Sequence, residues 1–176
     1  MQRTSFEEFM CPIAQTLEVI GEWWTPLILR DIAFGLTRFD EIQRNLGISR
    51  KVLTERLNGL VEAGVLKRQA YSEKPPRHDY FLTEKGADLG AILLAMKAWG
   101  DRWSLPGKPT VEVRHETCGG ITGVELRCTC CGEPLNALDL TPLEGPGMMV
   151  GPGTSELPAG LERLRAARAG EPIPGR

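Results

Sequence analysis

The chain has 176 residues and a formal net charge of −2. That is long enough for one large or two small domains, and too acidic overall for nucleic-acid binding by bulk charge. Hydrophobic residues are 41% and charged residues 25%, the balance of a globular chain rather than a disordered one. No apolar run approaches the roughly 18 residues of a membrane span, and the opening MQRTSFEEFM lacks the apolar segment of a signal peptide. A cytoplasmic home with reduced thiols is the expectation.

Charge is unevenly placed. From Arg38 to Arg77 nine Lys or Arg stand against five Asp or Glu, whereas from Leu105 onward seven stand against nine. The positive excess is therefore confined to one stretch. Gly and Pro crowd into the last 75 residues, which predicts a compact first part and a looser second part.

Ser5 and Glu8 have capping-box spacing, and Cys11-Pro12 suits a helix start. Ile13, Leu17 and Ile20 then share one face up to Gly21. Trp23 and Trp24 lead into a second helix over Thr25–Phe34, apolar on most sides and so expected to be buried. A third helix runs over Arg38–Leu46, with Phe39, Ile42 and Leu46 inward, and Gly47 makes a turn. Ser49 caps a fourth helix over residues 49–63. It turns Leu53, Leu57, Leu60 and Val61 inward and Lys51, Thr54, Glu55 and Asn58 outward, with Arg50 and Arg56 on its flanks. At 1.5 Å per residue it is roughly 20 Å long, enough to cross a major groove.

Val65 to Ser72 reads as a strand, Glu73 to Arg77 as a loop in which Pro75-Pro76 forbids regular pairing, and His78 to Leu82 as the return strand. Thr83 caps a long helix to Trp103. Its stripe of Leu89, Ile92, Leu93, Met96, Trp99, Gly100 and Trp103 needs a partner. Residues 105–109 form a linker, residues 110–140 a small β-like module with four cysteines, and the rest a flexible tail in which LERLRAARAG suits a short surface helix. There is no evident internal repeat.

A short helix, a glycine turn, a capped basic helix and two strands around a basic loop make a helix-turn-helix followed by a wing. The capped helix end offers free N–H groups and a positive dipole to a phosphate. Arg50, Lys51 and Arg56 suit phosphates or guanine, Ser49 and Thr54 suit base edges, and Lys74 and Arg77 at the wing tip suit the backbone or minor groove. The bland alternative is a solvated helix face and a hairpin charged for solubility. The position of the hairpin directly after the basic helix favours DNA.

Residues Cys11 to about Trp103 resemble the HxlR-type winged helix-turn-helix transcriptional regulators of bacteria, within the MarR-like superfamily. The residues that carry the resemblance are the CP start, the GEWWTPLILRD segment, RFDEIQ, ISRKVLTERL, PPR and Y-x-L-T-x-x-G, in order over more than half the chain. Asp79 stands where many relatives have Glu. The resemblance implies a homodimer on double-stranded DNA, paired through the first helix and the long later helix. It also implies a redox-sensor candidate at Cys11, since some members sense electrophiles or oxidants at the matching cysteine. A thiol at a helix start can have a lowered pKa; the alternative is a small buried residue that happens to be Cys.

His115-x-x-Cys118-Gly and Cys128-x-x-Cys131-Gly each place two ligands two residues apart before a glycine, the pattern of a metal knuckle. Together they make a Cys3His set suited to structural zinc, with the spacer ITGVELR joining the knuckles as a hairpin. Zinc binding of about 10 kcal/mol or more would let so core-poor a module fold. Cys130 could replace Cys128 or Cys131, or stay free. The rival readings are a redox-active thiol cluster and inert cysteines.

The expected fold is thus mainly α with a small β wing. A winged helix-turn-helix over residues 1–104 is followed by a zinc-ribbon-like module over 105–140 and a tail over 141–176. The expected function is sequence-specific regulation of transcription by a homodimer, without enzymatic activity, with residues 49–63 in the major groove and residues 65–83 as the wing. Two alternatives stand beside it: a zinc-stabilised protein-interaction module on a winged-helix scaffold, and a thiol oxidoreductase using Cys128 and Cys131.

Overall fold

The computed structural model describes residues 5–170. Helices α1 (Pro12–Ile20), α2 (Thr25–Ala33), α3 (Phe39–Leu46) and α4 (Arg50–Glu62) come first, then the hairpin β1 (Leu66–Glu73) and β2 (Pro76–Leu82), then helix α5 (Glu84–Trp103). The two-residue strands β3 (Val113–Arg114) and β4 (Ile121–Thr122) follow, with a 3-10 turn over Ala137–Asp139 and helix α6 (Leu157–Ala169). The chain divides into two compact units. One comprises residues 19–124, and the other brings the segment up to Glu18 together with residues from Glu125 onward. The division falls inside the cysteine-bearing segment.

The first unit is built around Ile28, Leu29, Ile42, Leu53, Leu57 and Val65, all buried almost completely. Burying each such side chain contributes about 1.5–3 kcal/mol before conformational entropy is counted. Leu53, Leu57 and Leu60 recur every three or four residues on α4, which fixes its buried face and leaves Lys51, Thr54, Glu55 and Asn58 outside. Ser49 caps α4 by accepting from the Val52 amide at 3.3 Å. A left-handed Gly47 ends α3 just before it. On α2 the inward residues are buried, but Leu27 and Phe34 at its edges, and Trp23 and Trp24 before it, stay exposed.

The hairpin is longer and tighter than its sequence suggests. Glu73 pairs with Pro76 and Ser72 with Arg77, leaving only Lys74-Pro75 at the tip, and a bulge at Tyr71 interrupts the register. Pro76 is tolerated because it is the first residue of β2, where a missing ladder donor costs little. Thr83 ties α5 to the strand start: its hydroxyl accepts from Gly86 and contacts the Gly64 and Val65 carbonyls at 2.7 and 3.1 Å. Gly86 is required at this crossing, because a Cβ there would lie 2.2 Å from the Val65 carbonyl oxygen.

In the second unit, Gln15 Nε2 donates to the carbonyls of Phe6, Glu7 and Phe9, holding the N-terminal turn on α1. The expected apolar face of α1 is largely outside, with Ile13 and Leu17 exposed and Ala14 and Ile20 buried. The C-terminal segment has more order than a flexible tail. Buried Thr154 donates to the Met149 carbonyl, and Arg168 on α6 donates to Thr141 and the Leu138 carbonyl.

Candidate functional site

Three features of the first unit share one surface. The first is the start of α4. Lys51 is open there, its side chain 87% exposed and only loosely paired with Glu55 at 4.0 Å. Arg50 is exposed and lies over the Phe39 ring at 5.1 Å. Thr54 is exposed and donates to the Arg50 carbonyl, so its hydroxyl oxygen keeps acceptor capacity.

The second is the wing. Lys74 and Arg77 are both exposed, one at the hairpin tip and one at the start of β2. The third is the space between them. A cavity of about 460 Å³ lies between helix and wing, lined by Phe39, Asp40 and Arg50 on one side and by Tyr71, Arg77 and His78 on the other. The start of α4 and the wing therefore face one another across a single concavity.

What holds the wing at that distance is a set of long-range contacts. The Tyr80 amide donates to the Thr37 carbonyl at 2.9 Å, which continues the β2 ladder as a bridge between Arg38 and Asp79. The Asp79 carboxylate accepts from Thr37 Oγ1 at 3.0 Å and pairs with Arg38 at 3.4 Å. The Arg38 guanidinium also lies over the Tyr71 ring at 4.7 Å. Asp79 thus fastens the wing to the start of α3. Burial pushes the Tyr80 phenol pKa up, with Arg68 opposing it, so this ring stays a neutral wall of the concavity.

Arg56 does not join this group. Its side chain is only 26% exposed and is committed to Glu22 at 3.4 Å, and its Nε is buried without a hydrogen-bond partner. It braces α4 from the inward flank. Ser49 is exposed; its hydroxyl oxygen accepts in the cap, which leaves the hydroxyl proton as a donor toward solvent or a ligand.

The cysteine residues form two separate local turns. In the first, His115 Nδ1 and Cys118 Sγ lie 3.4 Å apart. In the second, the backbone amides of Cys131 and Cys130, with the Cys131 thiol, lower the Cys128 thiol pKa against a small opposing effect of burial. The spacer does not form a hairpin between the knuckles as its sequence suggests. Instead β3 pairs with β4 around the first turn, and Arg127 bridges Pro134 around the second. Among the described residues no group of three or more His, Cys, Asp or Glu side chains is gathered to hold a metal ion. Cys11 is half-buried at the start of α1.

Comparison with known proteins bears on this arrangement. Residues 19–108 match the family described as HxlR-like helix-turn-helix. The Mycobacterium tuberculosis protein described as uncharacterized HTH-type transcriptional regulator Rv3095 is 46% identical over 136 residues, 77% of this chain and 86% of that one. A stretch of 136 in a chain of 176 must include residues 41–136 wherever it begins, so this similarity reaches past the wing into both cysteine turns. YdeP of Bacillus subtilis, an uncharacterized HTH-type transcriptional regulator, is 36% identical over 94 residues, 53% of this chain and 73% of that one. Among solved structures, PA1607, provisionally assigned as a transcription factor, superposes with a TM-score of 0.71 at 35% identity, covering 81% of this chain and 100% of that one.

Proposed function

The chain belongs to the HxlR-like helix-turn-helix family of transcriptional regulators, and from that premise we propose that it works as a cytoplasmic homodimer binding double-stranded DNA sequence-specifically. The observation that carries this reading is the concavity with Arg50 on one wall and Arg77 on the other. A duplex needs cations spaced to meet a groove and its flanking phosphates together, and a helix facing a wing supplies that spacing. Lys51 and Arg50 at the start of α4 neutralise phosphates or read guanine, Thr54 and Ser49 reach base edges or backbone, and Lys74 and Arg77 follow the adjacent backbone.

Pairing through a second copy is supported by α5. Ile92, Met96, Trp99 and Trp103 recur at spacings of four, three and four along one face, with Trp99 64% and Trp103 63% exposed. Ile13 and Leu17 on α1 are exposed as well. A dimer of this kind sets two α4 helices about 34 Å apart, one turn of the duplex, on a pseudo-palindromic site. Cys11 is the candidate redox sensor at the start of α1. The enzymatic alternative has little support. A redox Cys-x-x-Cys draws its low thiol pKa from a helix start, whereas Cys128 and Cys131 sit in a turn between bridged strand residues.

The test is selection from random DNA followed by titration of the enriched site in a gel shift. A pseudo-palindromic site should emerge. Lys51→Ala and Arg77→Ala should each weaken it several-fold with unchanged thermal stability, and each should reduce the salt slope by about one. Failure to enrich any sequence would favour the protein-interaction alternative. Unchanged affinity in both variants would remove this face from the interface.

A further inference from the structure

The concavity between α4 and the wing holds a group that DNA binding does not use. Its innermost lining residue is Tyr80, 9% exposed. The Tyr80 amide is committed to Thr37, but the hydroxyl makes no hydrogen bond among the described residues. Buried polar groups are nearly always paired, because a group taken from water without a partner loses its hydration for nothing. Burial also keeps this phenol protonated. What it offers the cavity is therefore a donor.

The remaining walls divide into flat apolar surfaces and cations. Phe39, Tyr71, Pro75 and Pro76 present faces rather than hydrogen-bonding groups, and such faces stack on planar rings. Arg50 and Arg77 are exposed, and neither pairs with a carboxylate among the described residues; Arg50 only lies over the Phe39 ring. Asp40, the carboxylate in the lining, is turned to Arg44 of its own helix at 3.7 Å. The lining thus joins two free cations, a stacking surface and one buried donor.

A duplex laid across the mouth meets the two guanidinium groups, but it is too broad to enter and reach the buried phenol. At about 460 Å³ the cavity falls within the roughly 300–1,000 Å³ of small-molecule sites. A single-ring acid would leave most of it empty. The clamp from Asp79 to Thr37 and Arg38 holds its walls apart without a ligand, so the site is formed in advance.

We propose that this cavity is an effector site for a flat two-ring molecule bearing one anionic group, a carboxylate or a phosphate. Arg50 and Arg77 take the anion, Phe39, Tyr71 and the two prolines take the flat body, and the Tyr80 hydroxyl donates to an acceptor on the rings. A fused-ring aromatic acid and a purine nucleoside monophosphate both carry this chemistry. Occupancy neutralises the two cations assigned above to DNA, so ligand and DNA exclude one another. That exclusion rests on the DNA-binding reading, whereas the site does not.

The experiment is calorimetric titration of the full chain with 6-hydroxy-2-naphthoate and with adenosine monophosphate. Naphthalen-2-ol and adenosine serve as the uncharged counterparts, and inorganic phosphate as the bare anion. One of the two anions should bind at about one molecule per chain with a Kd of about 0.1 mM or tighter, and which one does so identifies the anionic group. Its uncharged counterpart should bind at least about tenfold more weakly. Tyr80→Phe should weaken it about fivefold at unchanged thermal stability. With labelled site DNA, ligand at ten times its Kd should weaken DNA binding about tenfold in the native chain and about threefold in Tyr80→Phe, whose affinity without ligand stays the same. Saturation by neither anion would overturn the proposal. So would inorganic phosphate binding as tightly as the nucleotide, an unchanged Kd in Tyr80→Phe, or undiminished DNA affinity at saturating ligand. Saturable, charge-dependent binding in a chain that enriches no DNA sequence would sink the DNA reading alone and support the site.

Discussion

Replacing Asp79 by Ala separates two accounts of the wing that predict opposite signs. If charge alone governed DNA affinity, removing a carboxylate beside the basic surface would tighten binding. If Asp79 acts as the clamp described above, the same change should loosen it. The hydroxyl of Thr37 donates to the carboxylate at 3.0 Å, a bond to a charged acceptor contributing about 1.5–3 kcal/mol. The Arg38 contact is 3.4 Å with the guanidinium half exposed, so solvent screening reduces it to about 0.2–1 kcal/mol. Together they hold the wing by about 2 kcal/mol. Some of that loss should appear as stability in a urea titration. The wing cations should also lose their fixed distance to α4, which costs about tenfold in affinity for the selected site, since 1.4 kcal/mol is a factor of ten. Fluorescence anisotropy with labelled site DNA measures it. Affinity equal to or above wild type, in a protein that has lost stability, would refute the clamp and leave Asp79 a purely structural residue.

Two further changes test the frame around this surface. Gly86→Ala places a Cβ 2.2 Å from the Val65 carbonyl oxygen. The overpacking cost of about 1–3 kcal/mol outweighs the roughly 1 kcal/mol that alanine adds to a helix, so the urea midpoint should fall; an unchanged midpoint would show that α5 does not need its close approach to the strand. Trp99→Asp puts a charge into the exposed apolar stripe of α5, where burial against a second copy would be strongly unfavourable. Sedimentation should then show monomers in place of dimers with the near-native helix content retained, and a persistent dimer would move the pairing surface elsewhere.

Which parts of this molecule could be read in its sequence follows from how local each cause is. Helix α4 is legible because its cap and its buried face are set within 13 residues, by Ser49 and by Leu53, Leu57 and Leu60. The same spacing places Arg56 beside that buried face, three residues from Leu53 and four from Leu60, so its withdrawal toward Glu22 was available in the pattern but obscured by its charge. The wing tip is harder to read because two prolines normally exclude pairing; here Pro75 stays at the unpaired tip and Pro76, as the first residue of β2, relieves the conflict. Asp79 was illegible for a different reason: its partner Thr37 is 42 residues away, and no local period connects them.

The cysteine turns fall between these cases. Their residue types and two-residue spacing are local and stand in the sequence itself. Their equivalence is not, because R-x-x-x-C-G occurring twice is too short a likeness to stand out from composition. It becomes visible only when the backbone bonds of the two turns are compared donor by donor and found to run between the same positions. In both turns the closing donor is a positive-φ glycine four residues on, Gly119 and Gly132, so the likeness is carried by backbone conformation and not by side-chain type.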